Sequence, residues 1–368
     1  MSYQAKLKSL RSRRSIPGDL KKQYVFDSAL EESLDEKVYS TNETDSVKYS
    51  ILSMQPVPKR YTEISFEEGD RVANSLINDL TIAGIRAEHD FQGSVPLDIH
   101  IKGVSDVDVL VFHDYLTYEA PVLAHKSYTP ASDGKSMLER MRELRLYSES
   151  ILTRKFPAVD VDTSKAKAIN MQGGSLRREV DIVPAHWRDT RDYQSSGKKE
   201  DREVFIYDKA GSSTISNWPF KHMSRINIRD SLYRGNLKKI SRLLKNIKAD
   251  SEGVSSKRMR SLSSYDIASL VYQMGEDLSC PAYYDLGLLA KVSDYLLRVC
   301  ANNFTLGESL ITPDGSRRIL NSDEKQLAAL ELTLVVNKLY KDVLSSIAPF
   351  YGETDARRVM LNKQLVLS

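Results

Sequence analysis

Cysteine is nearly absent from this chain: Cys280 and Cys300 are the only two in 368 residues. Two distant thiols support no disulfide framework, so a packed core must supply the stability, and a reducing compartment suits the protein. Long apolar runs are missing too. No stretch approaches the roughly 18 consecutive apolar residues that suggest a membrane-spanning helix. The first residues, Met1 to Lys6, are basic, but no apolar segment follows them, so no secretory signal is expected. An excess of one charge is also lacking. Lys and Arg number 53 against 50 Asp and Glu, a net charge of +3. That balance permits anion binding but does not announce a DNA-binding protein, and any basic surface must be local. Internal repeats and low-complexity segments do not occur. What the chain does hold is 41% hydrophobic and 28% charged residues, enough for a large core and for two lobes. The composition reads as a cytoplasmic globular protein without a membrane segment.

The most informative stretch runs from Gly93 to Phe112. Gly93-Ser94 forms a small turn, and Asp106 and Asp108 follow, one residue apart. Asp108 opens an apolar β-branched run, Val109 to Phe112, that predicts a buried strand. Residues i and i+2 of a strand share a face, so the two carboxylates point the same way. Adjacent carboxylates repel unless a cation lies between them. Hard oxygen donors suit Mg²⁺ (or Mn²⁺), which keeps part of its shell for water and phosphate. Gly93 and Ser94 would offer backbone N–H groups and a hydroxyl to a polyphosphate. A third aspartate, Asp181, sits in Val180 to Val183, a second β-branched run that Pro184 is expected to stop. Burying that carboxylate is costly without compensation, which a metal held by Asp106 and Asp108 would supply.

Elsewhere the pattern predicts organisation more than chemistry. Residues 1–60 are charged, with Arg11, Arg13 and Arg14 early and an acidic run from Glu31 to Glu36, and short helices are expected there; the basic cluster reads as a solvated face, with contact to a partner as the alternative. Helices are expected over Glu67–Ile85 and from Ser136 to about Phe156. Short strands are expected at Ala158–Val161, Ala166–Met171 and Val204–Tyr207, with a polar loop over Gly211–Asn217. From about residue 222 the pattern stays helical: a helix carrying Leu237 to Ile247, then Tyr265–Met274, Tyr284–Ala301 and Glu324–Ile347, with a turn at Thr312-Pro313-Asp314-Gly315. The expected class is α+β, a mixed-sheet lobe followed by an all-helical lobe. Its divisions are 1–60, 61–221 and 222–368, with the active site in the cleft between the lobes. His100 and His113 flank the aspartates and are given no role.

Gly-Ser, Asp-x-Asp on a strand and a third aspartate on a later strand resemble the polymerase-β-like nucleotidyltransferases. Glu179-Val180-Asp181-Ile182-Val183-Pro184-Ala185 further resembles a motif of the bacterial cGAS/DncV-like nucleotidyltransferases (CD-NTases), the signal synthases of CBASS anti-phage systems. Arg242-Leu243-Leu244-Lys245 looks like that family's helix with a triphosphate-binding lysine. Ser263-Ser264-Tyr265 looks like its serine–tyrosine pair at the donor nucleotide, and Thr312 to Ile319 is similar to part of its C-terminal lobe. The likeness covers about residues 65–345. It departs from the family where a Gly-Thr usually precedes the aspartates, since Ile99-His100-Ile101 stands there. The resemblance implies a polymerase-β-like lobe and two-metal phosphoryl transfer, with Asp106, Asp108 and Asp181 as metal ligands and catalytic residues. Gly93, Ser94, Lys245, Ser264 and Tyr265 would bind nucleotide. The implied activity is synthesis of a cyclic di- or trinucleotide second messenger from ATP, GTP or both, released to a downstream effector. Whether a nucleic acid activates the enzyme is left open. One alternative is a nucleotidyltransferase that modifies RNA, such as tRNA, or protein; another is a binding module without catalysis, against which the three retained aspartates argue.

Overall fold

A computed structural model of the chain describes residues 1–14, 37–101, 103–281, 283–301 and 309–364. The acidic run from Glu31 to Glu36 lies outside the described residues. The helices are α1 (Tyr3–Arg14), α2 (Asp45–Met54), α3 (Lys59–Ile82), α4 (Met137–Lys155), α5 (Arg191–Ser196), α6 (Pro219–Leu232), α7 (Asn236–Ala249), α8 (Gly253–Arg258), α9 (Ser264–Tyr272), α10 (Asp285–Ala301), α11 (Asp323–Ile347) and α12 (Glu353–Asn362). The strands are β1 (Ala87–Gln92), β2 (Val107–His113), β3 (Thr117–Tyr118), β4 (Asp160–Asp162), β5 (Ile169–Gln172), β6 (Val180–Asp189), β7 (Glu203–Asp208) and β8 (Ser213–Asn217). Two compact units result. One comprises residues 62–96 and 106–225; the other comprises 1–61, 97–105 and the chain from 226 onward.

The first unit is built on one sheet, ordered β1-β2-β6-β5-β4, with β3 and β7 also pairing with β6 and β8 with β7. The pair β2 and β6 is parallel, and the flanking β1 and β5 are antiparallel to them. Strict alternation separates two faces. Val107, Val109, Val111, Val180 and Ile182 join a core with Val72, Leu76 and Leu80 of α3 and with Met141, Leu144 and Leu152 of α4. Leu110, Phe112, Val183, Ala185 and Trp187 form the core of the other face, where Phe112 stacks on Trp187 with centroids 4.0 Å apart. Helix α4 starts as its sequence dictates. Ser136 caps it by accepting from Glu139 N, and the Glu139 carboxylate accepts from Ser136 N, a reciprocal box that satisfies two otherwise orphaned N–H groups.

Several elements depart from the sequence expectation. Strand β6 does not stop at Pro184 but continues to Asp189. Pro184 lies where the β5 partner has ended at Ile182 and the β7 partner begins at Ala185, so its missing N–H interrupts no ladder on that side. The Gly211–Asn217 segment is not a loop throughout, because Ser213–Asn217 pairs antiparallel with β7. Its residues are half-exposed apart from the exposed Ser216, so no apolar alternation marked them. Strand β1 was also unexpected, since Ala-Glu-His-Asp-Phe-Gln carries little β-branched character.

The second unit is helical. Its apolar face is most concentrated on α7, where Leu237, Ile240, Leu243, Leu244 and Ile247 are all buried. Helices α1 and α2 pack within this unit instead of standing apart: Leu7 and Leu10 are buried, as are Val47, Tyr49, Ile51, Leu52 and Met54. Arg13 is no solvated charge. It pairs with buried Asp250 at 2.8 Å, and Tyr49 donates its hydroxyl to the same carboxylate at 2.9 Å. The division at residue 60 drawn from composition therefore differs from the one drawn by packing. Charged residues are spread through residues 1–60, while a few apolar side chains decide where α1 and α2 go.

Candidate active site

In the sheet unit, Asp108 and Asp181 are direct neighbours across the parallel pair. Laterally paired residues project from the same face, so these carboxylates begin the face that Leu110 and Val183 continue into its core. Asp106 lies one residue before β2. It is pushed up to about 6, first by burial and then by the negative charges of Glu179 and Asp181, with Lys165 opposing; Glu179 also hydrogen-bonds its protonated form. Gly93 explains the turn before the strand. Its φ is +82°, and a Cβ there would lie 2.4 Å from Asp108 Oδ2, so only glycine lets the Gly93-Ser94 turn close over that carboxylate. Ser94 is buried beside it in sequence.

Asp181 Oδ1 accepts a hydrogen bond from Asn170 Nδ2 at 2.8 Å and faces Lys165 Nζ at 3.6 Å. Asn170 gives its second amide hydrogen to Glu179 Oε1 at 2.7 Å. Asn170, Glu179 and Lys165 were not expected from the sequence. One signal was present: Glu179 stands two before Asp181, the same spacing that joined Asp106 to Asp108. Arg145 fixes the backbone that carries Lys165, donating to the carbonyls of Thr163 at 3.1 Å and Lys165 at 2.9 Å.

Among the described residues, no three His, Cys, Asp or Glu side chains are gathered tightly enough to enclose a metal ion. The donor chemistry still fits a hard divalent cation. The cluster is carboxylate oxygen throughout; the crowding of negative charge raises the Asp106 carboxyl, and the Lys165 ammonium stands in the place of a cation beside Asp181. No hydrogen bond from a described residue is made to Asp181 Oδ2.

The helical unit holds the remaining expected residues. Lys245 on α7 is 4% exposed and donates to Ser105 Oγ at 3.2 Å, which in turn accepts from Ile101 N. Three residues earlier, Arg242 donates to the Asp98 carbonyl at 2.6 Å and to the Met54 carbonyl at 2.8 Å. Both therefore hold segment 97–105, where Asp98 takes a positive φ of 54°. Tyr265 lies in the first turn of α9, after Ser264, which is half-buried at its first position. Its hydroxyl donates to Asp314, and Arg317 lies 5.1 Å from its ring centroid. Asp266, one residue on, accepts from Ser263, from Arg317 at 2.6 Å and from Lys325 at 3.1 Å. The Ser-Ser-Tyr and Thr-Pro-Asp-Gly motifs thus form one polar network. His100 stacks on Tyr61, and burial lowers the His113 imidazole below its usual range.

No family model matches the chain. It is 40% identical over 328 residues to the cyclic dinucleotide synthase CdnE of Yersinia aleksiciae, covering 87% of this chain and 83% of that one. It is 32% identical over 253 residues to a c-di-GMP synthase of Lachnospiraceae bacterium (strain RUG226), covering 63% and 70%. Among solved structures, the STING-associated CdnE c-di-GMP synthase from Capnocytophaga granulosa matches with a TM-score of 0.72 at 27% identity, covering 94% of this chain and 99% of that one.

Proposed function

The chain belongs to the CD-NTase family of nucleotidyltransferases, and from that premise we propose that it condenses two nucleoside triphosphates into a cyclic dinucleotide for anti-phage signalling. The observation that carries this reading is 40% identity to a relative named for that product, over 87% of the chain. GTP is the first substrate to test, because the second relative and the solved neighbour are both named c-di-GMP synthases. Among the described residues no helix is long and apolar enough to cross a membrane. The cytoplasm, where nucleoside triphosphates are available, is the proposed site of action, and the released product would bind an effector.

Each bond-forming step joins a ribose hydroxyl oxygen to the α-phosphorus of a donor nucleotide, and the bond to the leaving pyrophosphate breaks. A second, intramolecular transfer closes the ring. Divalent ions held by Asp106, Asp108 and Asp181 would neutralise phosphate charge and acidify the attacking hydroxyl. Asp181 is the proposed acceptor for the hydroxyl proton. Gly93 and Ser94 would present backbone N–H and hydroxyl donors to the donor phosphates, with Lys245, Ser264 and Tyr265 as the further nucleotide contacts. No residue forms a covalent intermediate, so rate enhancement comes from positioning and from charge placed where it develops.

Incubation with labelled ATP and GTP plus Mg²⁺, with and without tRNA, tests the reading. The expected product is phosphatase-resistant, since a ring has no terminal phosphate. Asp106→Ala, Asp108→Ala and Asp181→Ala should each fall below about a tenth of wild-type turnover, a loss of more than roughly 1.4 kcal/mol of barrier lowering. Label recovered only on tRNA or on protein overturns the proposal.

A further inference from the structure

We propose that Asn170 is the positioning residue of this site, orienting the Asp181 carboxylate so that Oδ2 is the oxygen presented to a divalent cation. The inference rests on the metal-dependent reading above and adds a residue that reading does not require. Asn170 is 3% exposed and lies directly across β5–β6 from Asp181. Its amide orientation is determined by its neighbours. Both groups within reach are carboxylates, which accept when ionised, so the amino end must face them. One N–H binds Asp181 Oδ1 at 2.8 Å and the other binds Glu179 Oε1 at 2.7 Å. Lys165 approaches the same Asp181 oxygen at 3.6 Å. Oδ1 is thus held by one N–H and faces one ammonium, while no hydrogen bond from a described residue is made to Oδ2. A carboxylate gripped at one oxygen loses rotation about its terminal bond. Its other oxygen is then held in place before an ion arrives, which lowers the ordering cost of ligation.

Glu179 serves as the second anchor. Bonded to the other N–H, it stops the amide from swinging towards Asp181 alone, and the antiparallel register of β5 and β6 sets the distance between the three groups. Asparagine is suited to this task because one nitrogen carries two donors and no charge. Lysine or arginine would add a positive charge that competes with the ion, and aspartate would add another carboxylate to a cluster already crowded with them.

The test uses the full chain and Mn²⁺ alone, followed by steady-state kinetics with GTP and ATP. Asn170→Leu keeps the side chain's branching and number of heavy atoms and removes both donors; Asn170→Ser fits without crowding and retains one hydroxyl donor. The expected order of Mn²⁺ affinity, read by electron paramagnetic resonance of free Mn²⁺, is wild type, then the serine variant, then the leucine variant. The leucine variant should lose about 10- to 100-fold in affinity and in kcat, with KM for nucleotide changed less than about threefold. A purely structural role would lower the melting temperature without this split. A folded Asn170→Leu protein within about threefold of wild type in both Mn²⁺ affinity and kcat overturns the inference; should it fail to fold, the same criterion applies to Asn170→Ser. Wild-type protein that binds no Mn²⁺ overturns the metal-dependent reading as well, which separates the two failures.

Discussion

At Tyr265 the hydroxyl is committed along with the ring: it donates to Asp314, while Arg317 lies 5.1 Å from the ring centroid. If base stacking were its only task, Tyr265→Phe would be nearly silent. A hydrogen bond to a charged group contributes about 1.5–3 kcal/mol. The loss here should fall near the lower end, because Asp314 keeps Thr312 Oγ1 at 2.6 Å and Ser316 N at 3.0 Å. Urea unfolding should show a lower midpoint at unchanged slope, and an unmoved midpoint would show that the contact does not stabilise the fold. Asp106 carries the opposite sign. Its folded pKa of about 6 stands above the ordinary 3.8, so its favourable contribution is present below about pH 4 and lost as pH rises through 6. Without added metal, Asp106→Asn should therefore be the more stable protein at pH 7.5, by about 1 kcal/mol once solvent screening is allowed for. At pH 4 the gain should vanish. The same substitution should abolish nucleotide incorporation, which separates stability from function at one residue.

At the scale of the element, β6 carries most of the first unit's logic. It pairs with β2, β3, β5 and β7, places Asp181 beside Asp108, and buries His186 against Phe205 of β7 with centroids 5.3 Å apart. Burial lowers His186 to about 4, with the nearby His113 adding to the effect and the bond from Nδ1 to the Trp187 carbonyl opposing it. The fold thus holds a neutral imidazole that the unfolded chain would protonate near 6.5. Between those values the unfolded state binds more protons, so stability is full above about pH 6.5 and is lost as pH falls towards 4. His186→Gln should flatten this dependence. Because Asp106 titrates with opposite sign in an overlapping window, the informative quantity is the difference between variant and wild-type urea midpoints across pH 4–7. A constant difference would show that His186 is not the source.

At the scale of the molecule, α1 belongs to the helical unit although five of its 12 residues are basic. Leu7 and Leu10 are buried, Arg13 meets Asp250, and Tyr3 donates to Asp342 at 2.6 Å. Burial of two leucines contributes about 3–6 kcal/mol. Deleting residues 1–14 should lower the melting temperature by about 5–10 °C, measured by calorimetry. A deletion that melts with the full chain would mean that α1 adds little to the unit.

The sequence by itself determined the mixed sheet followed by helices, because period-2 and period-3.6 patterns are local properties of the backbone. It also marked Asp108 and Asp181 as strand residues through their β-branched neighbours, whereas Asp106 lies one residue before β2, where strand alternation does not orient it. Only the tertiary structure decided what surrounds them. Asn170 reaches Asp181 through the β5–β6 register, 11 residues apart in sequence, and Asp314 meets Tyr265 across 49. Pro184 could stay within β6 because of a gap between two neighbouring strands. Gly93 had to be glycine because Asp108 Oδ2 comes to occupy the space a Cβ would need. Each of these depends on a partner distant in the chain, and local pattern carries no information about which distant residue will fill the space opposite.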